Sequence, residues 1–387
     1  MIAAPIIALA LAGIAAASPT PAATTCADGT IVANSQCCFW ANVRDRFKNE
    51  IFLNVCQENV HSLVRIAFHD AIGFSLNSEK GGGADGSMIQ FGATELNFHA
   101  NEGIDFIVDF LQPFADTVGI TYGDAIQFGA AVGLSLCPGA PKIQAFVGRP
   151  NATRAAPDGT VPEPFDDPEK IFARMADAGF TPTELIHLLA SHSIADQAGV
   201  DPEDSVLGAP FDSTPFSFDS QVFLETMLVG VLFPGSGPNQ GMSSPAVLAV
   251  RRVTYYNVLS GEVSSPLPGE FRLQSDKRFT VHNQTACAWQ ENALSQATMA
   301  SNFQTAFQKL SLLGFNKANL LDCSEVITTP PPATQKQAFF PPGKRHVDIE
   351  QGCATKAFPT TLSTAAGTPT PIPAVQVQDI PFGRRKK

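Results

Sequence analysis

The segment Arg65-Ile66-Ala67-Phe68-His69-Asp70 carries the densest group of chemically active side chains. In a helix, Arg65 and His69 are four residues apart and share one face. A histidine base beside a permanent cation can take a proton from a small acid and stabilise the resulting anion. The same pair also occurs on ordinary helix surfaces, so the neighbouring residues decide the interpretation.

A glycine-rich loop, residues 81–87, follows this segment and offers oxygen ligands on alternate residues. Glycine permits the extended turns that such a loop needs. A cage of carboxylate, hydroxyl and carbonyl oxygens suits Ca²⁺. The alternative is a plain glycine turn; a phosphate loop does not match, because the Gly-Lys-Ser/Thr ending is absent. The predicted ligands are Asp70, the Gly83 carbonyl, Asp85 and Ser87.

A second oxygen cluster lies near His192, which continues the apolar stripe of Leu185, Leu188 and Leu189. That position makes His192 either a buried core histidine or a metal ligand. Ser193 and the run 212–219 supply another set of hard oxygens. Two such cages, each tied to a histidine helix, favour metal binding over two coincidental turns. The ligands predicted for the second cage are Ser193, Asp212, Thr214 and Asp219.

Helices are the elements that must position these groups. The apolar spacing predicts helices over about 39–53, 59–71, 219–228 and 286–310. Thr181-Pro182-Thr183-Glu184 is a capping box that opens the helix leading to His192. Residues 243–263 look foreign and are either a surface loop or sequence that a mature message would lack. The Thr/Pro/Ala-rich end, residues 359–387, is expected to be a flexible tail or to wrap on the surface.

Composition restricts the class of protein. The 387 residues are 44% apolar and 16% charged, which is typical of a folded chain with one large or two ordinary domains. The formal net charge of −11 disfavours nucleic-acid binding. An apolar, uncharged start predicts a secretion signal over residues 1–20, although an apolar core segment reads the same way. An even eight cysteines and two glycosylation sequons, at Asn151 and Asn283, favour a secreted, soluble, disulfide-bonded protein.

With these motifs, residues 26 to about 358 resemble the secreted fungal class II haem peroxidases, a family of lignin, manganese, versatile and generic peroxidases. The resemblance implies an all-α fold in which a distal domain (26–165) and a proximal domain (166–358) enclose haem b. It also implies an enzyme that uses hydrogen peroxide and acts as a monomer. No nucleic-acid partner is expected for so acidic a chain, and no membrane partner because no stretch after the signal is apolar for long enough to span a bilayer.

The resemblance also implies a role for each matching residue. Arg65, Phe68 and His69 correspond to the distal arginine, phenylalanine and acid–base histidine. Asn101 would hydrogen-bond His69, with Glu95 behind it. On the other side of the haem it implies that His192 is the iron ligand, Phe211 the proximal phenylalanine and Asp276 the carboxylate partner of His192.

Two Ca²⁺ ions follow from the same resemblance, one in each cage, and the second cage gains the Ser217 carbonyl. Eight cysteines allow 105 pairings, and sequence alone does not choose among them. The family order implies Cys26–Cys38, Cys37–Cys323, Cys56–Cys137 and Cys287–Cys353.

The electron donor is predicted by comparing this sequence with the residues that specialised members of the family have at their substrate sites. Those that oxidise Mn²⁺ use three acidic residues beside a haem propionate, at positions that are Glu58, Ser62 and Ala198 here. Asp196 lies close in sequence, but on a continuous helix it would point about 200° away from that face. Other relatives relay electrons through an exposed Trp, and the residue at the corresponding position of this sequence is His187. The two tryptophans of this chain, Trp40 and Trp289, match structural positions instead.

These substitutions predict a generic, low-potential peroxidase of the ink-cap type, which oxidises phenols, aromatic amines and dyes at the haem edge. The segment 266–272 favours the same type. Mn²⁺ oxidation built on Glu58 is the alternative. A hypothesis from another class is an inactive secreted haem carrier, which would keep His192 and the cages but need not keep Arg65, His69 and Asn101.

Overall fold

Helices make up most of the regular structure, as predicted for an all-α protein. The computed structural model describes residues 23–197, 200, 207–229, 262–263 and 265–376. The first six helices are Cys37–Arg46 (α1), Glu58–Ala71 (α2), Ser87–Gln90 (α3), Gly92–Glu95 (α4), Asp105–Val118 (α5) and Tyr122–Leu134 (α6). The later ones are Pro168–Asp177 (α7), Pro182–Leu188 (α8), Gln221–Met227 (α9), Gln274–Phe279 (α10), Ala286–Leu294 (α11) and Gln296–Leu310 (α12).

Among the described residues, the strands form three antiparallel pairs, each strand two residues long. They are Thr24–Thr25 (β1) with Ile31–Val32 (β2), Phe146–Val147 (β3) with Leu321–Asp322 (β6), and Glu262–Val263 (β4) with Arg272–Leu273 (β5). The second pair, in register Phe146 with Asp322, ties the two halves of the chain together.

The predicted helices are confirmed with shifted ends. Helix α1 continues as a π-helical turn, Phe47–Ile51, and the chain then turns at Leu53 and Asn54, which both have positive φ. The predicted helix 286–310 is two helices, because Ser295 adopts an extended conformation between them. The Ser295 side chain accepts a hydrogen bond from the Thr298 amide and caps α12, which is the usual role of serine at a helix start.

Helix α2, which carries Arg65 and His69, is held against α6 by close packing. A Cβ at Gly129 of α6 would lie 2.6 Å from Leu63 Cδ2, so glycine lets the two helices approach. Leu63 is fully buried, and Phe47 lies against the same glycine. The tight contact fixes the face of α2 on which its polar residues stand.

The capping box of α8 is confirmed. The Thr181 hydroxyl accepts a hydrogen bond from the Glu184 amide (3.1 Å), and Glu184 Oε2 accepts one from the Thr181 amide (2.9 Å). After Leu188 the chain tightens into a 3₁₀ segment, Leu189–Ile194, and leaves the helix at Ala195. The expectation that Asp196 continues this helix is therefore wrong: Asp196 forms an isolated bridge with Pro210.

Four disulfides close the chain, and their pairing is the one that the family resemblance implies. Cys26–Cys38, Cys37–Cys323, Cys56–Cys137 and Cys287–Cys353 have Cα–Cα distances of 5.2, 5.3, 4.9 and 4.5 Å. All eight cysteines are paired. Cys37–Cys323 joins residues 286 positions apart and so constrains the unfolded chain most.

The described part of the tail, residues 359–376, is docked on the surface. The Phe340 amide donates to the Ser363 carbonyl, and the Val375 amide donates to the Gly208 carbonyl. Val375 is buried. Of the two arrangements considered for the tail, these contacts favour the wrapped one over this stretch.

Several predicted features fall on residues outside the described ranges. They are the secretion signal (1–20), most of the foreign-looking segment (243–261) and the last residues of the tail (377–387). Within the described ranges, no helix is both long and apolar enough to cross a bilayer. The division into distal and proximal domains stays a prediction.

Candidate active site

One cavity brings together the two histidines that the sequence singles out. Arg65, Phe68 and His69 of α2 line it on one side, and His192 of the 3₁₀ segment lines it on the other. Its remaining lining is mainly apolar. That lining includes Leu185, Leu188, Leu189, Phe211, Leu273, Phe279, Phe307 and Leu310.

His69 is fixed by a chain of two hydrogen bonds. Its Nδ1 lies 2.9 Å from Asn101 Oδ1, and the Asn101 amide nitrogen donates to the main-chain carbonyl of Glu95 (2.9 Å). Because that nitrogen is engaged as a donor, Oδ1 is the end of the amide that faces His69, and an amide oxygen only accepts. Nδ1 therefore carries the imidazole proton, and Nε2 is left as a base.

Asn101 thus contacts His69 as expected, whereas Glu95 acts through its backbone. The Glu95 carboxylate instead accepts a hydrogen bond from the Ala156 amide (2.9 Å). Burial raises the pKa of this carboxyl to about 7. Glu95 therefore supports the position of Asn101 through its main-chain carbonyl.

The electrostatics keep His69 neutral. Burial, followed by the nearby Arg65 cation, lowers the pKa of His69 to about 3. The Arg65 guanidinium is held by the carbonyls of Glu102 (2.9 Å) and Ala100 (3.3 Å). A neutral base next to a fixed cation can accept a proton from a small acid in this cavity.

His192 has a charged partner. Its Nδ1 donates to Asp276 Oδ2 (2.7 Å), and Asp276 is buried. The ring of Phe211 packs edge-on against the imidazole at 5.3 Å. A carboxylate on Nδ1 fixes the tautomer and makes Nε2 more electron-rich, which is the arrangement of histidines that bind metals.

The first predicted cage assembles directly after His69. Asp70 accepts hydrogen bonds from the amides of Gly86 (2.9 Å) and Met88 (3.2 Å). Gly83 has φ +94°, and a Cβ there would clash with the Leu313 carbonyl, so this turn requires glycine. Burial and the neighbouring Asp85 raise the pKa of Asp70 well above its usual value. Ser87, also buried, completes the group.

The second cage gathers beyond His192. Asp212 Oδ1 accepts a hydrogen bond from the Thr214 amide (2.7 Å), and the Thr214 hydroxyl donates one to Asp219 Oδ1 (3.0 Å). Asp212 Oδ2 is buried and has no hydrogen-bond partner. Burial and Asp219 raise the pKa of Asp212, as expected for carboxylates packed together without a cation. Both cages have donor sets that fit Ca²⁺.

A third polar cluster joins Glu58, His61 and Asp196. The atoms they offer as ligands all lie within 4.8 Å of one another. Sequence reasoning noted Glu58 but missed His61, although the i, i+3 spacing puts both on one face of α2. Ser62 donates to Glu58 Oε1 (2.7 Å), and Ala198 lies outside the described residues.

The two tryptophans and His187 lie apart from this chemistry. Trp40 packs against Phe128, and Trp289 is fully buried with its Nε1 donating to the Phe223 carbonyl (2.8 Å). His187 is a partly exposed residue of α8, and its burial lowers its pKa. Both tryptophans are therefore buried in the protein interior, as expected for residues with a structural role.

Known proteins that are similar to this chain match it over almost its whole length, and they are peroxidases. A family model described as "Peroxidase" matches residues 40–295, and one for the "Fungal peroxidase extension region" matches 298–376. Manganese peroxidase 3 of Phlebia radiata is 47% identical over 364 residues, 92% of either chain. Versatile peroxidase VPS1 of Pleurotus eryngii is 47% identical over 357 residues, 91% of this chain and 90% of its own.

Ligninase H2 of Phanerodontia chrysosporium is 44% identical over 364 residues, 92% of this chain and 90% of its own. Relatives named for manganese, versatile and lignin chemistry thus match at similar identity, so overall similarity does not choose the reductant. With the two histidine walls and the family models in agreement, the chain belongs to the fungal class II peroxidases, oxidoreductases that use hydrogen peroxide.

Proposed function

We propose that this peroxidase binds haem b through His192 and oxidises phenols and other small aromatic donors at the open end of the cavity. The observation that carries the proposal is the pair of histidines across one apolar cavity, one bonded to an amide and the other to a carboxylate. An inactive haem carrier would need only the His192 side.

The residues present fit the haem. His192 would supply the axial nitrogen, Asp276 would hold it, and the apolar lining would bury the macrocycle. Bound there, the haem supplies the two-electron reduction of peroxide and then accepts two single electrons from donors.

The chain's own residues manage the proton and the charge. His69 Nε2 takes the proton from one oxygen of hydrogen peroxide and returns it to the other oxygen, which leaves as water. Arg65 stabilises the negative charge that develops as the O–O bond breaks. Asn101 keeps His69 in the tautomer that this transfer requires.

The cavity opens beside His99 and Glu102, which are exposed members of its lining. Pro162, Glu163 and Pro164 line the same end. Donors that reach this opening need no relay through the protein. Two phenols would each lose one electron and one proton per peroxide, giving two water molecules and two phenoxyl radicals.

Further parts of the proposal rest on the cages and the disulfides. Two Ca²⁺ ions would hold the ends of the segments that carry His69 and His192. Four disulfides support an oxidising, extracellular location, and we propose a secreted monomer.

Mn²⁺ is the second candidate reductant, and the cluster of Glu58, His61 and Asp196 favours it. Each peroxide would then oxidise two Mn²⁺ to Mn³⁺ and consume two protons. The family positions Ser62 and Ala198 supply no carboxylate, so phenols remain the first candidate.

Stopped-flow reduction of the peroxide-oxidised enzyme tests the proposal. A simple phenol should reduce it rapidly, and Mn²⁺ should reduce it more slowly. Faster, saturating reduction by Mn²⁺ would assign the second candidate instead. An absorbance spectrum that peroxide leaves unchanged would identify a haem carrier.

A further inference from the structure

The part of the chain that the structure describes keeps its readily oxidised side chains away from solvent, with one exception. Its methionines are at most 1% exposed, its tryptophans at most 8%, and its cysteines are all in disulfides. These buried residues are Met88, Met175, Met227, Met299, Trp40 and Trp289. Phenylalanine, which resists oxidation, supplies most of the aromatic side chains, with 29 Phe against 3 Tyr in the whole sequence. This distribution protects a protein that generates strong oxidants, so the exception is informative.

The exception is Tyr122, the first residue of α6. The other tyrosines, Tyr255 and Tyr256, lie outside the described ranges. The Tyr122 ring packs against the core, but its hydroxyl lies at the surface and donates a hydrogen bond to Asp116 Oδ1 (2.9 Å). Burial and the Asp116 carboxylate raise the pKa of this phenol, so it stays protonated at neutral pH. Tyr122 is thus a neutral phenol at the surface, of the chemical class proposed as the electron donor.

The bond to Asp116 gives Tyr122 a place to send its proton. A phenol that loses an electron becomes a strong acid, so its proton must leave in the same step or directly afterwards. The Asp116 carboxylate already accepts the hydrogen bond from the hydroxyl and can take that proton. Because Asp116 is exposed, the proton can pass from it to water.

The other end of Tyr122 lies against the loop of the first oxygen cage. A Cβ at Gly86 would be only 2.6 Å from Tyr122 Cβ, so the two residues are in close contact. The Gly86 amide donates to Asp70 (2.9 Å), and Asp70 directly follows His69 in the chain. A short series of contacts therefore joins Tyr122 to the cavity wall at which peroxide is reduced. The electron can leave inwards along this side while the proton leaves outwards through Asp116.

We propose that the peroxidase oxidises its own Tyr122 when no other donor is present, and that the resulting radicals join two copies of the chain. The inference rests on the proposed function, because a tyrosine side chain is itself a phenol. For each hydrogen peroxide, two Tyr122 side chains each lose one electron and one proton, and the peroxide becomes two water molecules. The two rings then form one carbon–carbon bond beside their hydroxyls, and the hydrogens of the joined carbons restore both hydroxyls.

Peroxide added to the haem-loaded, calcium-saturated enzyme without any donor tests this proposal. Freeze-quench EPR should show a tyrosyl radical, and a covalent dimer with dityrosine fluorescence should follow. Mass spectrometry of the digested dimer should place the new bond between two Tyr122 peptides. Tyr122→Phe keeps the packed ring but lacks the hydroxyl, so it should lose both the radical signal and the dimer.

A second pair of variants tests the part played by Asp116. Asp116→Asn should slow formation of the radical by about tenfold, because an amide can accept the hydrogen bond but does not take the proton. Asp109→Asn is the matched control, since it removes an exposed carboxylate two turns earlier on α5 and changes the net charge equally. That variant should form the radical as fast as the parent does.

The oxidation of a simple phenol, measured in the same samples, separates this inference from the proposed function. A parent that oxidises the phenol but gives no tyrosyl radical and no dimer overturns the inference alone. A Tyr122 radical in an enzyme that leaves the phenol unchanged would instead contradict the proposed function. A dimer joined only through Tyr255 or Tyr256 would overturn the assignment to Tyr122, and a Tyr122 radical without any dimer would overturn the coupling.

Discussion

The first wall of the cavity carries His69 and the second carries His192, and the two histidines differ in the side chain that bonds Nδ1. His69 shares its Nδ1 proton with a neutral amide oxygen of Asn101 at 2.9 Å, whereas His192 donates to the carboxylate of Asp276 at 2.7 Å. A neutral acceptor leaves His69 a weak base that can take and release a proton. A carboxylate makes His192 a stronger electron donor to a metal.

The aromatic packing around the two imidazoles is similar. An aromatic ring meets each imidazole edge-on at 79°, Phe68 at 5.8 Å and Phe211 at 5.3 Å. Each histidine is followed directly by a predicted member of an oxygen cage. The similar settings show that the role of each histidine follows from its hydrogen-bond partner and charge environment more than from its packing.

The largest effect should come from removing the base of the first wall. His69→Ala should slow the reaction with peroxide by about 10²- to 10⁴-fold, because it removes the neutral base proposed to carry the proton. Haem should stay bound, since His192 and Asp276 are untouched. Stopped-flow absorbance with peroxide measures this rate, and a rate equal to that of the parent would remove His69 from the mechanism.

Calcium removal tests what the two walls share. Each cage should contribute about 2.7 kcal/mol to the free energy of unfolding when Ca²⁺ is a hundredfold above its Kd. In the stripped protein, burial raises the pKa of Asp219 to about 6. Glu225 lies against the second cage, where it accepts hydrogen bonds from the Ser213 amide and hydroxyl, and burial and Glu270 raise its pKa to about 8. Raised carboxyl pKa values mean that the folded state holds more protons, so stability should fall as the pH rises from about 5 to 8.

Thermal unfolding with and without Ca²⁺ across that pH range measures the effect. Mg²⁺ at equal ionic strength is the control, because it fits such flexible cages poorly. A stripped protein that becomes more stable with rising pH would contradict the assignment of these buried carboxyls.

The first wall and the cages could be predicted from the sequence because their residues are close together along the chain. Arg65, His69 and Asp70 lie on one helix, and Asp212 to Asp219 on one loop. Recognition of the family supplied the long-range pairs, such as His192 with Asp276, 84 residues apart.

Two details of the site depend on the direction of the backbone and could not be predicted from the residue types. The position of Asp196 follows from the extended backbone at Ala195. No local sequence pattern predicted that the helical segment ends there. The sequence placed Glu95 behind Asn101 without indicating which of its atoms makes the contact, and the structure shows that the atom is the main-chain carbonyl oxygen. Backbone direction of this kind is set by tertiary packing, so residue types alone did not reveal it.

A smaller effect is expected from neutralising the partner of the second wall. Asp276→Asn should weaken haem retention or slow the peroxide reaction by about 10- to 100-fold, because an amide supports the His192 ring with less charge. The visible spectrum should shift as the ligand becomes a weaker donor. Identical spectra and rates in the variant and the parent would show that the charge of Asp276 does not influence His192. The nature of the Nδ1 partner would then not explain a difference between the two histidines.

The smallest change at neutral pH, and the sharpest test of the comparison, is to give the first wall the partner of the second. In Asn101→Asp a carboxylate would face His69 Nδ1 and favour the imidazolium, so the pKa of His69 should rise from about 3. The acid limb of the peroxide reaction should move to higher pH, with a loss of only a few-fold near pH 7. Glu95→Gln is the control and should leave the limb in place, since only the Glu95 carbonyl contacts Asn101. An acid limb that stays at the parent's pH in Asn101→Asp would mean that burial and Arg65 alone set the basicity of His69, and that the partner atom does not distinguish the walls.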